Sequence, residues 1–115
     1  MSNGIIGIKG HKVWCVIGCL PEERTKEQEI TIDVKVRAKF SQDQKIEERI
    51  CYVKIAEVCT QVAKEKQHLL LESLAIDLLE TLMTTFAINW AWVGIKKPSA
   101  LPSAEFAFVE LGTEG

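Results

Sequence analysis

Between Ile30 and Lys39 the chain alternates strictly: Ile30, Ile32, Val34, Val36 and Ala38 against Thr31, Asp33, Lys35, Arg37 and Lys39. Successive side chains of a strand point to opposite faces, so this run builds a strand with one buried face and one wet, charged face. A sheet solvated on one side is antiparallel as a rule, because parallel sheets are covered on both faces by their crossover helices. The rest of the chain must therefore supply more strands and a cover for one sheet face.

It supplies both. Ile5 to Ile8 opens a strand, and Val13 to Ile17 extends it. Gly18 to Glu27, with Gly18, Pro21 and a run of charges from Glu22 to Glu27, reads as a turn or loop. Ser41 to Arg49 is polar and reads as a connection. From Tyr52 the period becomes helical. Ile55, Ala56, Val58, Cys59, Val62 and Ala63 fall on one stripe, and Lys64 to His68 closes that helix. A second helix carries Leu70, Leu71, Leu74, Ala75, Leu78, Leu79, Leu82 and Phe86 inward, with Asp77, Glu80, Thr81 and Thr84 turned to water. Trp90 to Ile95 and Glu105 to Leu111 are two final strands. The order β-β-α-α-β-β predicts an α+β domain, a four-stranded antiparallel sheet with two helices on one face. Such a sheet has two edges to cover, which favours a subunit that completes itself by assembling.

The 115 residues suffice for one domain, 1–115, with a real core. Apolar residues at 47% and charged residues at 26% fit a soluble globular protein, not a disordered one. A net charge of −2 argues against nucleic-acid or anionic-membrane partners. No apolar stretch approaches the roughly 20 residues of a membrane span, and the first residues do not resemble a secretory signal. A cytoplasmic location follows. Cys15, Cys19, Cys51 and Cys59 then read as reduced thiols, with Cys15 and Cys19 as small buried hydrophobes. His11 and His68 are isolated and form no helical metal-ligand pair, so no metal is expected.

Four segments in order resemble the dihydroneopterin aldolases of folate biosynthesis: Ile17 to Gln28, Cys51-Tyr52, Leu70 to Ala75, and Lys97 to Ala100. The likeness extends over about Ile5 to Leu111. It implies the tunnelling fold, in which subunit sheets join edge to edge into a barrel. It also implies a homo-octamer of two stacked tetrameric rings with active sites between neighbours. The implied substrate is the pterin 7,8-dihydroneopterin, cleaved to 6-hydroxymethyl-7,8-dihydropterin and glycolaldehyde. The ring's own N5=C6 imine can accept the electrons, so the resemblance implies no protein Schiff base, no metal and no cofactor.

Under that resemblance Glu72 is the pterin anchor. Its carboxylate can accept two parallel N–H donors from the pyrimidine edge, and a helix start favours an ionised carboxylate by about 0.3–1 kcal/mol. The backbone at Leu71 would touch the ring. Lys97 corresponds to the family's catalytic lysine and Glu23 to the carboxylate beside it; together they would relay protons through water. Tyr52 corresponds to a tyrosine that comes from a neighbouring subunit, stacks near the pterin and can exchange a proton with the substrate side chain. Gln28 supports the loop or a substrate hydroxyl. Trp14, Trp90 and Trp92 alternate within strands and read as barrel or interface packing. Without the resemblance, Glu72, Glu23 and Lys97 would be solvated surface charges and Tyr52 a core aromatic. Ser41 to Arg49 only loosely follows the family pattern, and Cys51 stands where a polar residue or His is usual.

The nearest rival keeps the fold and epimerises dihydroneopterin triphosphate. A triphosphate calls for added Arg or Lys, whereas Glu22, Glu23 and Glu27 crowd this loop. Zinc enzymes of the same fold need three ligand histidines, and this chain has two. A silent pterin-binding ring, or an unrelated α+β interaction domain, remains as a reading from another class.

Overall fold

The alternating run lies near the middle of β2 (Glu27–Phe40), which is flanked in the sheet by β1 (Ser2–Val16) and β3 (Ala91–Lys97); β4 (Ala107–Gly112) completes it. This computed structural model describes residues 2–40, 42 and 50–113. All three strand pairs are antiparallel, in the order β1-β2-β3-β4. Helices α1 (Tyr52–Glu65) and α2 (Leu71–Thr85) both pack on one face of that sheet. The expected connection from Ser41 to Arg49 lies outside the described residues, apart from Gln42.

Each element follows from its side-chain period. In β2, Ile30, Ile32, Val34 and Val36 are buried against the helices, while Lys35 and Arg37 are exposed. In β3 the buried row is Ala91, Val93, Ile95 and Lys97, so Lys97 continues an apolar row to its rim. In α1, Ile55, Val58, Cys59, Val62 and Ala63 are buried; in α2, Leu74, Ala75, Leu78 and Leu82 are. These three- and four-residue steps lay one helix stripe on the sheet.

β1 explains why its sequence reads as two pieces. Ile6 and Ile8 pack toward the core, but so do Val13 and Cys15, at the opposite parity. Between Ile8, paired with Val34, and His11, paired with Ile32, β1 advances three residues while β2 advances two. The extra residue is a bulge, and it restores the apolar set to the same face. Gly10 sits there at φ +75°, and the Asp33 carboxylate accepts its N–H at 2.7 Å. His11 follows, with Nε2 at 2.8 Å from the Thr60 hydroxyl of α1.

Several expectations need correction. The Gly18–Glu27 loop contains a short 3-10 helix, Pro21–Thr25. Cys15 is buried as expected, but Cys19 is exposed, because it lies beyond the end of β1. The last strand runs from Ala107 to Gly112 rather than from Glu105 to Leu111. α1 ends at Glu65, and His68 is buried in the link between the helices. Asp77 does not face open water; it holds that histidine.

Among the described residues, β1 and β4 each have a strand partner on one side only. The sheet face away from the helices is aromatic and charged. Lys35 lies over the Trp92 ring at 4.9 Å, Arg37 over Trp90 at 5.4 Å and Lys96 over Phe106 at 5.1 Å.

Candidate active site

Strand order brings the end of β3 beside the start of β2. Thr31 pairs with Lys96, so Lys97 lies level with the first buried residues of β2, and Cys15 of β1 pairs with Gln28. The chain leaving β1 then turns back through the 3-10 helix and carries Glu23 over this corner. Glu23 and Lys97, 74 positions apart, meet with Nζ to Oε2 at 2.5 Å. The Lys97 side chain is 9% exposed and that of Glu23 20%. Such a pair, partly desolvated and hydrogen-bonded, is held more firmly than an ion pair in open water.

Glu23 accepts from three directions. Lys97 and the Gln28 amide, at 3.2 Å, both donate to Oε2, and the Leu20 N–H donates to Oε1 at 3.3 Å. The Lys97 hydrogen bond foremost, helped by those of Gln28 and Leu20 and opposed by partial burial, holds the Glu23 carboxyl below its ordinary range. It is therefore a carboxylate at neutral pH. Lys97 has three N–H donors. Among the described residues Glu23 is its hydrogen-bond partner, which leaves donors for water or a ligand.

Gln28 works as a clamp. Its amide N–H also donates to the Ile17 carbonyl at 2.9 Å, and its Oε1 accepts from the Ser99 hydroxyl at 3.3 Å. It thus ties the end of β1, the Glu23 loop and the turn after Lys97. Of the two roles expected for Gln28, support of the loop is the one these contacts display.

Gly18 and Ser99 lie in the segments that carry the resemblance, but neither was assigned a part in the site. Gly18 has φ +141°, and a Cβ built on it would fall 2.4 Å from the Glu23 carboxyl group. Only glycine leaves room for that side chain and adopts that backbone without strain. The glycine was legible as a loop signal, but a glycine five residues before a glutamate does not announce that it makes room for that side chain.

Glu72 lies in the first turn of α2, exposed, and Leu71 opens the helix, half-buried against the core. This helix start sits beside the same corner, because the Gly18 N–H donates to the His68 carbonyl at 3.1 Å and Ile17 bridges to His68 in parallel. Neither Glu72 nor Tyr52 makes a hydrogen bond or ion pair to the Glu23–Gln28–Lys97 cluster among the described residues.

Tyr52 is farther off. It is the first residue of α1 and 60% exposed. The other end of α1 reaches the β2 start, where Lys64 faces Glu27 at 3.8 Å. A helix of 14 residues spans about 21 Å, so Tyr52 lies roughly that far from the Lys97 corner of its own chain. Tyr52 therefore does not reach that corner within its own chain.

A separate groove of about 460 Å³ lies on the other sheet face, lined by Trp92, Phe106, Phe108, Lys35 and Lys96 among others. It contains none of Glu23, Gln28, Tyr52, Glu72 or Lys97. The converging charged groups, not this groove, mark the candidate site.

The family model described as FolB, dihydroneopterin aldolase, matches residues 6–112. A curated Chlamydia pneumoniae protein, named a probable dihydroneopterin aldolase, is 29% identical over 84 residues. That match covers 69% of this chain and spans 62% of the relative's length. Among solved structures, a Vibrio cholerae FolB protein superposes with a TM-score of 0.91 at 22% identity, covering 98% of both chains. Escherichia coli dihydroneopterin aldolase, solved in complex with neopterin, gives a TM-score of 0.89 at 23% identity over 96% of this chain and 99% of its own. Likeness at these identities establishes a common fold.

Proposed function

The chain belongs to the dihydroneopterin aldolase family, and from that membership we propose that it cleaves 7,8-dihydroneopterin in the cytosol as a homo-oligomer. The products are 6-hydroxymethyl-7,8-dihydropterin and glycolaldehyde. The observation that carries this reading is the Glu23–Lys97 contact, nine-tenths buried at the lysine and clamped by Gln28. A surface lysine at a strand end needs no such enclosure.

In this reading Glu72 accepts two N–H donors from the pyrimidine edge of the pterin, and backbone at Leu71 lines the ring. The side-chain hydroxyl one carbon beyond the ring-attached carbon loses its proton. The C–C bond between those two carbons then breaks. Its electron pair moves into the ring through the N5=C6 imine, and glycolaldehyde departs. A proton returned to the ring-attached carbon completes 6-hydroxymethyl-7,8-dihydropterin. The Lys97 ammonium and the water it orients relay these protons, and the Glu23 carboxylate fixes the ammonium. Tyr52 of a neighbouring copy exchanges the hydroxyl proton. The ring imine is the electron sink, so the scheme calls on no metal and no cofactor. Rotation and readdition before glycolaldehyde escapes would invert the carbinol carbon, giving epimerisation as a side reaction. The octamer of two stacked tetrameric rings is proposed on the same grounds, with Tyr52 crossing between subunits.

The test is release of glycolaldehyde from 7,8-dihydroneopterin by the purified protein in the presence of chelator, run beside dihydroneopterin triphosphate. Cleavage of the first substrate with little change of the second supports the aldolase. Epimerisation of the triphosphate alone identifies the rival enzyme. Pterin binding without turnover of either identifies a silent ring.

A further inference from the structure

His68 and Asp77 form a buried link that neither the ion-pair corner nor the pterin anchor accounts for. The His68 side chain is 3% exposed, and its Nε2 lies 2.7 Å from Asp77 Oδ2. Lys66 holds the same carboxylate at 3.0 Å. The His68 hydrogen bond first, then that of Lys66, keeps the Asp77 carboxyl below its ordinary range. An ionised carboxylate only accepts, so Nε2 carries the proton and donates. On the main chain, the same residue bridges to Ile17 and accepts the Gly18 N–H.

One residue therefore joins three segments. Through Asp77 it grips the second turn of α2, whose first turn holds Glu72. Through its carbonyl it grips the end of β1, from which the Glu23 loop departs. Gly18 is also the residue whose missing Cβ makes room for the Glu23 carboxylate. The link thus spans the boundary between the group that would hold the pterin and the pair that would move its protons. Misplacement by about 1 Å across such a boundary can cost on the order of 10²-fold in rate.

We propose that His68 is a positioning residue, which sets the register of the Glu72 helix start against the Glu23–Lys97 pair through its side-chain bond to Asp77 and its main-chain bond to Gly18. The proposal rests on the pterin-cleavage reading above. It assigns His68 no contact with substrate. A histidine that merely filled space would affect folding alone, whereas a register device affects turnover at sites that still bind.

The experiment measures pterin Kd and glycolaldehyde release per bound site in wild type, His68→Leu, His68→Gln and Asp77→Ala. A glutamine amide can place its N–H near the position of Nε2. The expected result is turnover per bound site about tenfold lower in His68→Leu and Asp77→Ala, with Kd within about twofold. His68→Gln should regain most of the rate. Removing both groups together should cost little more than removing either, as for two partners in one contact. Should His68→Leu fail to fold, Asp77→Ala, at a carboxylate only part-buried, decides the matter. Normal turnover per bound site in Asp77→Ala overturns the proposal, as does a glutamine variant no better than leucine. Wild-type protein that releases no glycolaldehyde overturns the pterin-cleavage reading, and the His68 role with it. Active wild type with normal variants overturns the His68 role alone.

Discussion

At the scale of single residues, recognition and proton transfer are assigned to different side chains and should separate in kinetics. Glu72→Ala should abolish measurable pterin binding by calorimetry while leaving the fold intact, because this carboxylate is an exposed first-turn residue. Lys97→Ala should keep pterin affinity and slow turnover by about 10² to 10⁴-fold, the usual contribution of a general acid–base group. The thiols offer a check independent of function. Burial raises the Cys15 thiol and pushes Cys59 up to about 12. Both should resist a thiol reagent at pH 8 until the protein is unfolded, since the thiolate is the reacting form. Cys59 was legible from its place on a helical stripe. Cys19 was misjudged because it lies in an apolar run with Cys15, although the loop expected from Gly18 onward already contains it, and there it is exposed. The His68–Asp77 pair was illegible for a different reason. Nine residues separate a link position from a helix position, and each alone resembles a solvated polar group.

At the scale of elements, the short 3-10 helix is held chiefly by what Glu23 accepts, so its stability follows the charge of that carboxyl. Its folded-state value lies below the ordinary 4.5, so the ionised form is favoured by folding. That contribution is complete above the ordinary carboxylate range and is lost as pH falls through the lowered value. Glu23→Gln should therefore lower the urea midpoint at neutral pH, and the two proteins should converge only in acid, once the pH has fallen through the lowered folded-state value. Gly18→Ala should be worse than its size suggests, because it combines an unfavourable φ with a methyl driven into the Glu23 carboxyl group. Turnover should fall with the loop displaced, read by the same glycolaldehyde assay. The strands and helices themselves were readable because burial imposes a period of two or about 3.6 on side-chain type. The bulge at Gly10 broke the first strand into two apparent pieces for the same reason: it shifts parity while preserving the buried face. The loop geometry had no such periodic signal, and the resemblance to a family, not the local pattern, directed attention to Glu23.

At the scale of the whole molecule, β1 and β4 leave two lines of main-chain donors and acceptors open among the described residues. Ile5, Trp14, Tyr52, Val53 and Phe108 are all about half exposed or more, which adds apolar surface for a partner copy. If the proposed octamer forms, sedimentation should give a particle of about eight times 12.9 kDa, and a folded monomer at micromolar concentration would rule out the barrel. Mixing Tyr52→Phe chains with Lys97→Ala chains should restore sites that neither parent has, if the tyrosine crosses between copies. The long reach from Tyr52 to its own Lys97 corner has one more consequence. If Tyr52 of a neighbouring copy completes the site as proposed, catalytic capacity is a property of the population rather than of the polypeptide: on dilution below the dissociation constant of the ring, activity per milligram should fall, and it should return when the sample is concentrated.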